Sequence, residues 1–352
     1  MSDQPGVAIA AEIRAHGPIG FDRFMELALY GPGGFYDRPP VGTGSERAFA
    51  TSPHVHPVFA QLLAGGVMEL WDLLGRPEPF RVTEVGAGDG TLARQLVEAL
   101  AEIPLDYTTV ERSPGAREAL AAGGFTAGAS LSGEPHLVLA HELLDNLPFR
   151  RVRLTTAGPR EVRVSLDGDR FIEMLTDADA DIREAAAALS EPGEETVLPR
   201  GTFEFIDDLA ARLTHGYALL IDYGALGSTG GPVHGYAAQR LVEDLLADPG
   251  GADITSGVDF AAVALRAEGA GLPSFGSLTQ RETLTALGFE RWTLEELSRQ
   301  TTLLDERRGV EAVRAWSGRI AAGLLIDPSA LGRLRWLLLA SPGLPVPSWF
   351  TT

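Results

Sequence analysis

Arg81-Val82-Thr83-Glu84-Val85-Gly86-Ala87-Gly88-Asp89-Gly90-Thr91-Leu92 is the stretch whose reading decides the fold. Val82 and Val85 are β-branched and suit a buried strand. Gly86, Gly88 and Gly90 then let the backbone turn tightly and approach a ligand closely. Leu92, Leu96, Val97 and Leu100 recur at helical spacing. A strand therefore hands over to a helix N-terminus through a bare backbone, a place where unpaired N–H groups gather. Such a glycine run serves NAD, FAD and S-adenosylmethionine sites alike. Glu84, one strand residue before the turn, favours the last of these. A carboxylate repels a diphosphate and attracts a sulfonium and an amino group. Downstream, Asp106-Tyr107-Thr108-Thr109-Val110-Glu111-Arg112 reads as the next strand. Glu111 then stands about 20 residues past the turn, where a carboxylate grips ribose hydroxyls. That position supports a nucleoside ligand without choosing between NAD and S-adenosylmethionine.

The 352 residues exceed what one core usually needs, so a large domain with additions or two domains is expected. No cysteine is present, which excludes disulfides, thiolate nucleophiles and zinc thiolate sites. No lysine is present either, which excludes Schiff-base chemistry and a P-loop lysine. A net charge of −19 argues against a nucleic-acid surface and is compatible with a cationic substrate. The first residues lack the basic start and apolar core of a signal peptide, and the apolar run Leu334 to Ala340 is too short for a membrane span. A cytoplasmic enzyme is the expectation.

Residues from about Val7 to Leu74 read as mainly helical, interrupted by Tyr30-Gly31-Pro32-Gly33-Gly34-Phe35-Tyr36, whose aromatics either wall a flat ligand or plug a helix junction. Thr51 or Ser52 is expected to cap a helix running through Phe59 and Leu63. His54 and His56 form an H-x-H pair, read as loop polarity because a catalytic metal needs at least three protein ligands. Phe125 to Ser130 suggests a short strand and loop, and His136 to Glu142 a stronger strand ending in His141-Glu142-Leu143-Leu144-Asp145. Chemistry gathers at the carboxyl ends of strands in open α/β sheets, which makes His141, Glu142 and Asp145 candidates. Arg151 to Met174 alternates around Asp167-Gly168-Asp169 and reads as a hairpin inserted in the sheet domain. Thr176 to Leu189 and Phe203 to Leu213 read as helices, Gly216 to Gly224 as a strand ending at Asp222 and Tyr223, and Gly227 to Pro232 as a loop. Asp253 to Phe260 leads into another helix, and Leu334 to Leu339 is a last apolar strand or helix.

Several spaced stretches together resemble the MidA-like class I methyltransferases, whose mitochondrial members methylate an arginine of a respiratory complex I subunit. They are Ile19-Gly20-Phe21-Asp22-Arg23-Phe24-Met25, Ala28-Leu29-Tyr30 with Gly34-Phe35-Tyr36, Phe49-Ala50-Thr51-Ser52-Pro53, the glycine turn, and Glu111-Arg112-Ser113-Pro114. Glu142 to Pro148, Ile221-Asp222-Tyr223-Gly224, Asp253-Ile254-Thr255 with Val258-Asp259-Phe260, and Thr279-Gln280 continue the series. This chain departs from the family at Arg47-Ala48, His54, Ala60-Gln61 and His141. Those positions lie in stretches expected near the cleft, which keeps another acceptor in play.

The resemblance implies an α/β fold with a Rossmann-like class I methyltransferase sheet, an N-terminal helical region and inserted substrate-side elements. The expected division is a helical cap over 1–75, a core over 76–150 and 201–290, an inserted hairpin and helix over 151–200, and a C-terminal extension over 291–352. S-adenosylmethionine is the implied cofactor, held by Glu84, Gly86, Ala87, Gly88, Glu111, Arg112, Ala129 and Ser130, with adenine against Ala129-Ser130. Glu142 is expected to orient and relieve a guanidinium acceptor, assisted by Asp145; His141 or His54 would be the general base for a small-molecule acceptor instead. Expected partners are a protein or small-molecule methyl acceptor, with a homodimer as a candidate assembly and neither nucleic acid, membrane nor metal. A silent S-adenosylmethionine-binding assembly protein is a further alternative, and a dinucleotide oxidoreductase a distant one.

Overall fold

The computed structural model describes residues 4–37, 51–227, 233–237 and 240–351. Arg47-Ala48-Phe49, Ala50 and most of the Gly227 to Pro232 stretch lie outside the described residues. The glycine turn leaves the strand Phe80–Val85 (β1) and enters the helix Thr91–Ala99. Six further strands complete the main sheet: Leu105–Val110 (β2), Thr126–Gly128 (β3), Leu137–His141 (β4), Tyr217–Asp222 (β5), Ser274–Thr279 (β6) and Arg335–Ala340 (β7). Their order is β6-β7-β5-β4-β1-β2-β3. β1 runs parallel to β2 and β4, and β4 parallel to β5, whereas β7 is antiparallel to both β5 and β6.

That order places the site. From β1 the chain winds outward through β2 and β3, then returns to lay β4 on the other side of β1. The connections leaving β1 and β4 diverge, opening a crevice beyond their carboxyl ends. Val85, Val110, His141 and Asp222 end the four parallel strands that border it. β4 and β5 are buried almost throughout, as parallel strands covered on both faces must be. One face is covered by Val58–Leu73, which buries Phe59, Leu63, Val67 and Leu70, and by Thr91–Ala99. The other is covered by Arg200–Arg212 and Phe260–Gly269.

The hairpin around Asp167-Gly168-Asp169 is present, with Asp167 paired to Arg170 and Gly168 at φ 62°. It does not join the main sheet. Arg150–Thr155, Gly158–Asp167, Arg170–Asp177 and Glu195–Leu198 form a second antiparallel sheet, extended by Ile19–Gly20. One face of that sheet carries Val164 and is covered by Ile9, Ile13, Phe21 and Phe24 of the N-terminal helices. An alternating strand pattern specifies a buried face but not which element buries it. Arg151 and Arg153 each pair with both Glu173 and Glu195 across the strands.

Other expectations are revised. The helix foreseen from Thr51 through Phe59 is broken: Ser52–Val55 is one short helix and a second starts at Val58, after Pro57. Thr51 makes no side-chain cap; its hydroxyl sits 2.8 Å from His54 Nδ1. The strand before the acidic helix runs on to Asp177, and Asp179 caps a shorter helix, Ala180–Ala185. Val97 faces partly outward although Leu92, Leu96 and Leu100 are buried. The last apolar run is a strand, β7, lying between β5 and β6 from within the stretch set apart above as a C-terminal extension. No described helix is long and apolar enough to cross a membrane.

Candidate active site

A cavity of about 820 Å³ opens beyond the β1 and β4 ends. The glycine turn forms one wall. Gly86, Gly88 and Gly90 have φ of 75°, 54° and 73°, backbone that side chains disfavour. A Cβ on Gly88 would meet open space, so the turn presents bare peptide to the cavity. Glu111 holds that turn: its carboxylate accepts the Gly88 N–H at 3.1 Å and the Arg112 N–H at 2.8 Å. Burial raises the Glu111 carboxyl, against the pull of these N–H groups on its charged form. Glu84 lines the cavity but is only 3% exposed, and accepts the Tyr107 hydroxyl at 2.8 Å. Burial lifts it to about 8.

The opposite wall is the turn after β4. Glu142 has φ 52°, unusual for a residue with a side chain, and its N–H donates to Ile221 O. Asp222 holds the turn in shape. Its Oδ2 accepts the N–H groups of Leu143, Leu144 and Asp145 at 3.0, 2.6 and 3.3 Å, and its Oδ1 that of Tyr223 at 2.7 Å. Burial nevertheless lifts Asp222 to about 7. Glu142 accepts the Ser52 N–H, yet burial first and Asp222 second lift it to about 8. Asp145 is raised well above the usual carboxylate range by burial and by Asp222, Asp253 and Glu142. Glu142 Oε1 and Asp145 Oδ1 are buried without a hydrogen-bond partner.

His141 lies beside them, its Nε2 3.4 Å from Glu142 Oε1 without a hydrogen bond. Burial lowers it to about 3, so the ring is neutral and a feeble proton acceptor at working pH. His54 Nε2 lies 3.0 Å from Asp89 Oδ2 and ties the Ser52–Val55 helix to the glycine turn. His56 instead accepts the Val58 N–H and packs on Trp292. Among the described residues no group of three or more His, Cys, Asp or Glu could hold a metal ion.

Tyr30 and Tyr36 stack at 5.5 Å and line the far end, so the aromatic loop both walls the cavity and packs on the body. Tyr36 donates to Asp253 Oδ1 at 2.8 Å, as does Asn146 Nδ2. Not every expected residue reaches this cavity. Glu84, Gly86, Ala87, Gly88, Glu111, His141, Glu142 and Asp145 line it. Arg112, Ala129 and Ser130 line an adjoining groove that shares Tyr30, Gly86, Glu111 and Leu143. The Arg112 guanidinium lies 4.4 Å over the Tyr30 ring and 3.5 Å from Glu26. The Asp222 anchor, the Tyr36–Asp253–Asn146 group and the Ser52 N–H on Glu142 escaped the sequence reading, because each joins residues far apart in the chain. The carboxylate ending β5 was the available signal for the first.

Among the described residues lining the cavity, six carry carboxyl groups and one, Arg333, a guanidinium. A hollow lined by six carboxyl groups beside a bare-backbone turn fits a cationic nucleoside such as S-adenosylmethionine, whose positive charge favours their ionised forms. Residues 62–278 match the family described as "Putative S-adenosyl-L-methionine-dependent methyltransferase". Protein arginine methyltransferase NDUFAF7, mitochondrial, from Mus musculus is 28% identical over 322 residues, 79% of this chain and 73% of that protein. The Drosophila melanogaster homologue is 29% identical over 297 residues, 72% of this chain and 67% of its own. A COG1565 superfamily member from Burkholderia thailandensis, solved bound to S-adenosyl-homocysteine, superposes with a TM-score of 0.80 at 28% identity, covering 97% of this chain and 92% of that one. The cofactor is S-adenosylmethionine, and the chain belongs to this family of S-adenosylmethionine-dependent methyltransferases.

Proposed function

We propose that the methyl acceptor is an arginine side chain of a protein. The observation that carries this reading is the pair of carboxyl groups, Glu142 and Asp145, which line the cavity and each keep one buried oxygen without a hydrogen-bond partner. A guanidinium is planar, always charged and rich in donors, and matches two such oxygens. A neutral hydroxyl would leave one of them unpaired, at a cost of about 1–3 kcal/mol. The names of the curated relatives support the same acceptor.

In this reading Glu111 binds the ribose hydroxyls, the Gly86–Gly88 backbone and Glu84 hold the methionine end, and Tyr30 and Tyr36 shield the cavity from water. S-adenosylmethionine, when bound, supplies an electrophilic methyl group. Glu142 orients the guanidinium and takes the proton that its nitrogen sheds as the new N–C bond forms. A pKa of about 8 before substrate binds suits a group that must accept a proton near neutrality. His141, held at about 3, keeps the Glu142 surroundings neutral and is a poor general base for an O-methyl transfer.

The test is methyl transfer from labelled donor to arginine-containing proteins and peptides, with methylarginine read by mass spectrometry. Glu142→Gln is expected to cut kcat at least about a hundredfold with donor affinity nearly intact. Transfer to metabolite extracts alone, or full turnover in the variant, would overturn the assignment.

A further inference from the structure

Residues beyond the core sheet form an antiparallel pair of helices, Phe289–Asp305 and Gly309–Gly323, built inside out. The buried cluster at the tip of the pair consists of Leu303, Ala312 and Ala315. Eight of the sixteen large apolar side chains exposed among the described residues lie between Leu294 and Leu324. Leu294 is 67% exposed and Val310 65%. A two-helix hairpin with so thin a seam gains little from its own packing, since helix stability in proteins comes mainly from a buried face.

The exposed residues are ordered. Leu294, Leu297, Thr301 and Leu304 follow one another at intervals of three and four residues; Val310, Val313, Ser317, Ile320 and Leu324 do the same. Each helix thus carries an outward heptad seam, the pattern that seats another helix by knobs-into-holes packing. The positions flanking the seams include Ser298, Gln300, Trp316 and Ala321, with Asp305 and Arg314 of opposite sign. Between Phe289 and Leu324 there are six acidic residues and six arginines, although the chain as a whole carries −19. Two copies of most of this surface would repel each other, whereas two copies of this hairpin would not.

We infer that this face is a homodimer interface, in which the hairpins of two copies pack about a two-fold axis as a four-helix bundle. A self-complementary patch meeting itself is the geometry a two-fold axis demands. Helices of 17 and 15 residues are about 25 and 22 Å long and together about 20 Å wide. Each copy then offers about 500 Å², and the pair buries about 1,000 Å², the least a biological interface clears and the size of a weak, concentration-dependent dimer. The seams lie outside the donor cavity, so the two properties are separable by mutation.

The experiment is sedimentation velocity of the full chain across micromolar concentrations, beside Ile320→Glu and Leu297→Glu, with S-adenosyl-homocysteine binding measured on all three. The wild type is expected to sediment as a dimer and both variants as monomers that bind the product as tightly as the wild type. Retained binding certifies that the variants fold. A monomeric wild type, including one that instead captures another protein or binds lipid vesicles through this face, overturns the inference. So does a variant that binds product and still dimerises.

Discussion

Replacing Asp222 by Asn tests how the turn that carries Glu142 and Asp145 is held. Asp222 is fully buried and its carboxylate accepts four backbone N–H groups, three of them from the turn that carries Glu142 and Asp145. Asparagine keeps one carbonyl oxygen for Leu143, Leu144 and Asp145 and turns an NH₂ group towards the Tyr223 N–H. Hydrogen bonds to a charged acceptor contribute about 1.5–3 kcal/mol and neutral ones about 0.5–1.5. Weakening three of them costs about 3 kcal/mol, and orphaning the Tyr223 N–H adds about 1–3 kcal/mol. Removing the negative charge beside Glu142 and Asp145 returns about 1.4 kcal/mol for each pKa unit of relief. The backbone losses of about 4–6 kcal/mol exceed that partial return and are a large share of the roughly 5–15 kcal/mol that holds a domain. The full effect belongs to the alkaline side of the Asp222 value of about 7, where the native carboxylate is charged. Urea unfolding there should give a lower midpoint at unchanged slope. A second readout separates this role from general destabilisation. Asp222 raises Glu142, so its neutralisation should move the acid limb of the pH–rate profile below about 8. An unchanged midpoint with an unmoved limb would refute the idea that Asp222 sets both the shape and the charge of this turn.

Glu111→Ala should weaken product binding by at least about tenfold in calorimetry, since a charged pair of hydrogen bonds to a ribose and the N–H of Gly88 are lost together; full affinity would remove the ribose assignment. The ligand-free protein should become less stable between about pH 5 and pH 8, because Glu84, Glu142, Asp222 and Asp253 are held at about 8, 8, 7 and 6, above the unfolded value near 4. The native state holds protons that the unfolded chain has released over this window, so stability is greatest below it and is lost as pH rises; a midpoint that rises instead would contradict the burial of these groups. Across the same window the affinity for S-adenosylmethionine relative to S-adenosyl-homocysteine should grow, because only the former brings a positive sulfur to the ionising carboxylates. A pH-independent ratio, measured by competition, would argue that Glu84 and Glu142 do not face that sulfur.

Local chemistry made the first half of the site legible. β-branched residues, three glycines and a helical period can only be read as strand, turn and helix, and they are contiguous from Arg81 to Leu92. Glu111 was reachable because the next parallel strand of a βαβ unit returns at a known distance. The carboxyl end of β4 likewise pointed to Glu142 and Asp145, which the structure places in the lining of the cavity. The electrostatic argument from Glu84 reached the right cofactor, yet its carboxylate is engaged by Tyr107 on the neighbouring strand, a pairing that strand register alone creates.

What the chain order could not supply is contact between distant segments. Asp222 meets residues nearly eighty positions away, Tyr36 meets Asp253 across more than two hundred, and Ser52 reaches Glu142 from the N-terminal region. Periodicity marks a face as buried without naming its cover, so the hairpin strands were recognised while their separate sheet, closed by the first helices, was not. The same limit applied to Arg335–Ala340, whose apolar run suits strand or helix until β5 and β6 are found on either side. Short-range preferences of the backbone thus determined the glycine-turn wall of the cavity. Long-range packing decided the wall that carries Glu142 and Asp145, because a buried carboxylate acquires its proton affinity from neighbours that only the folded chain brings within reach.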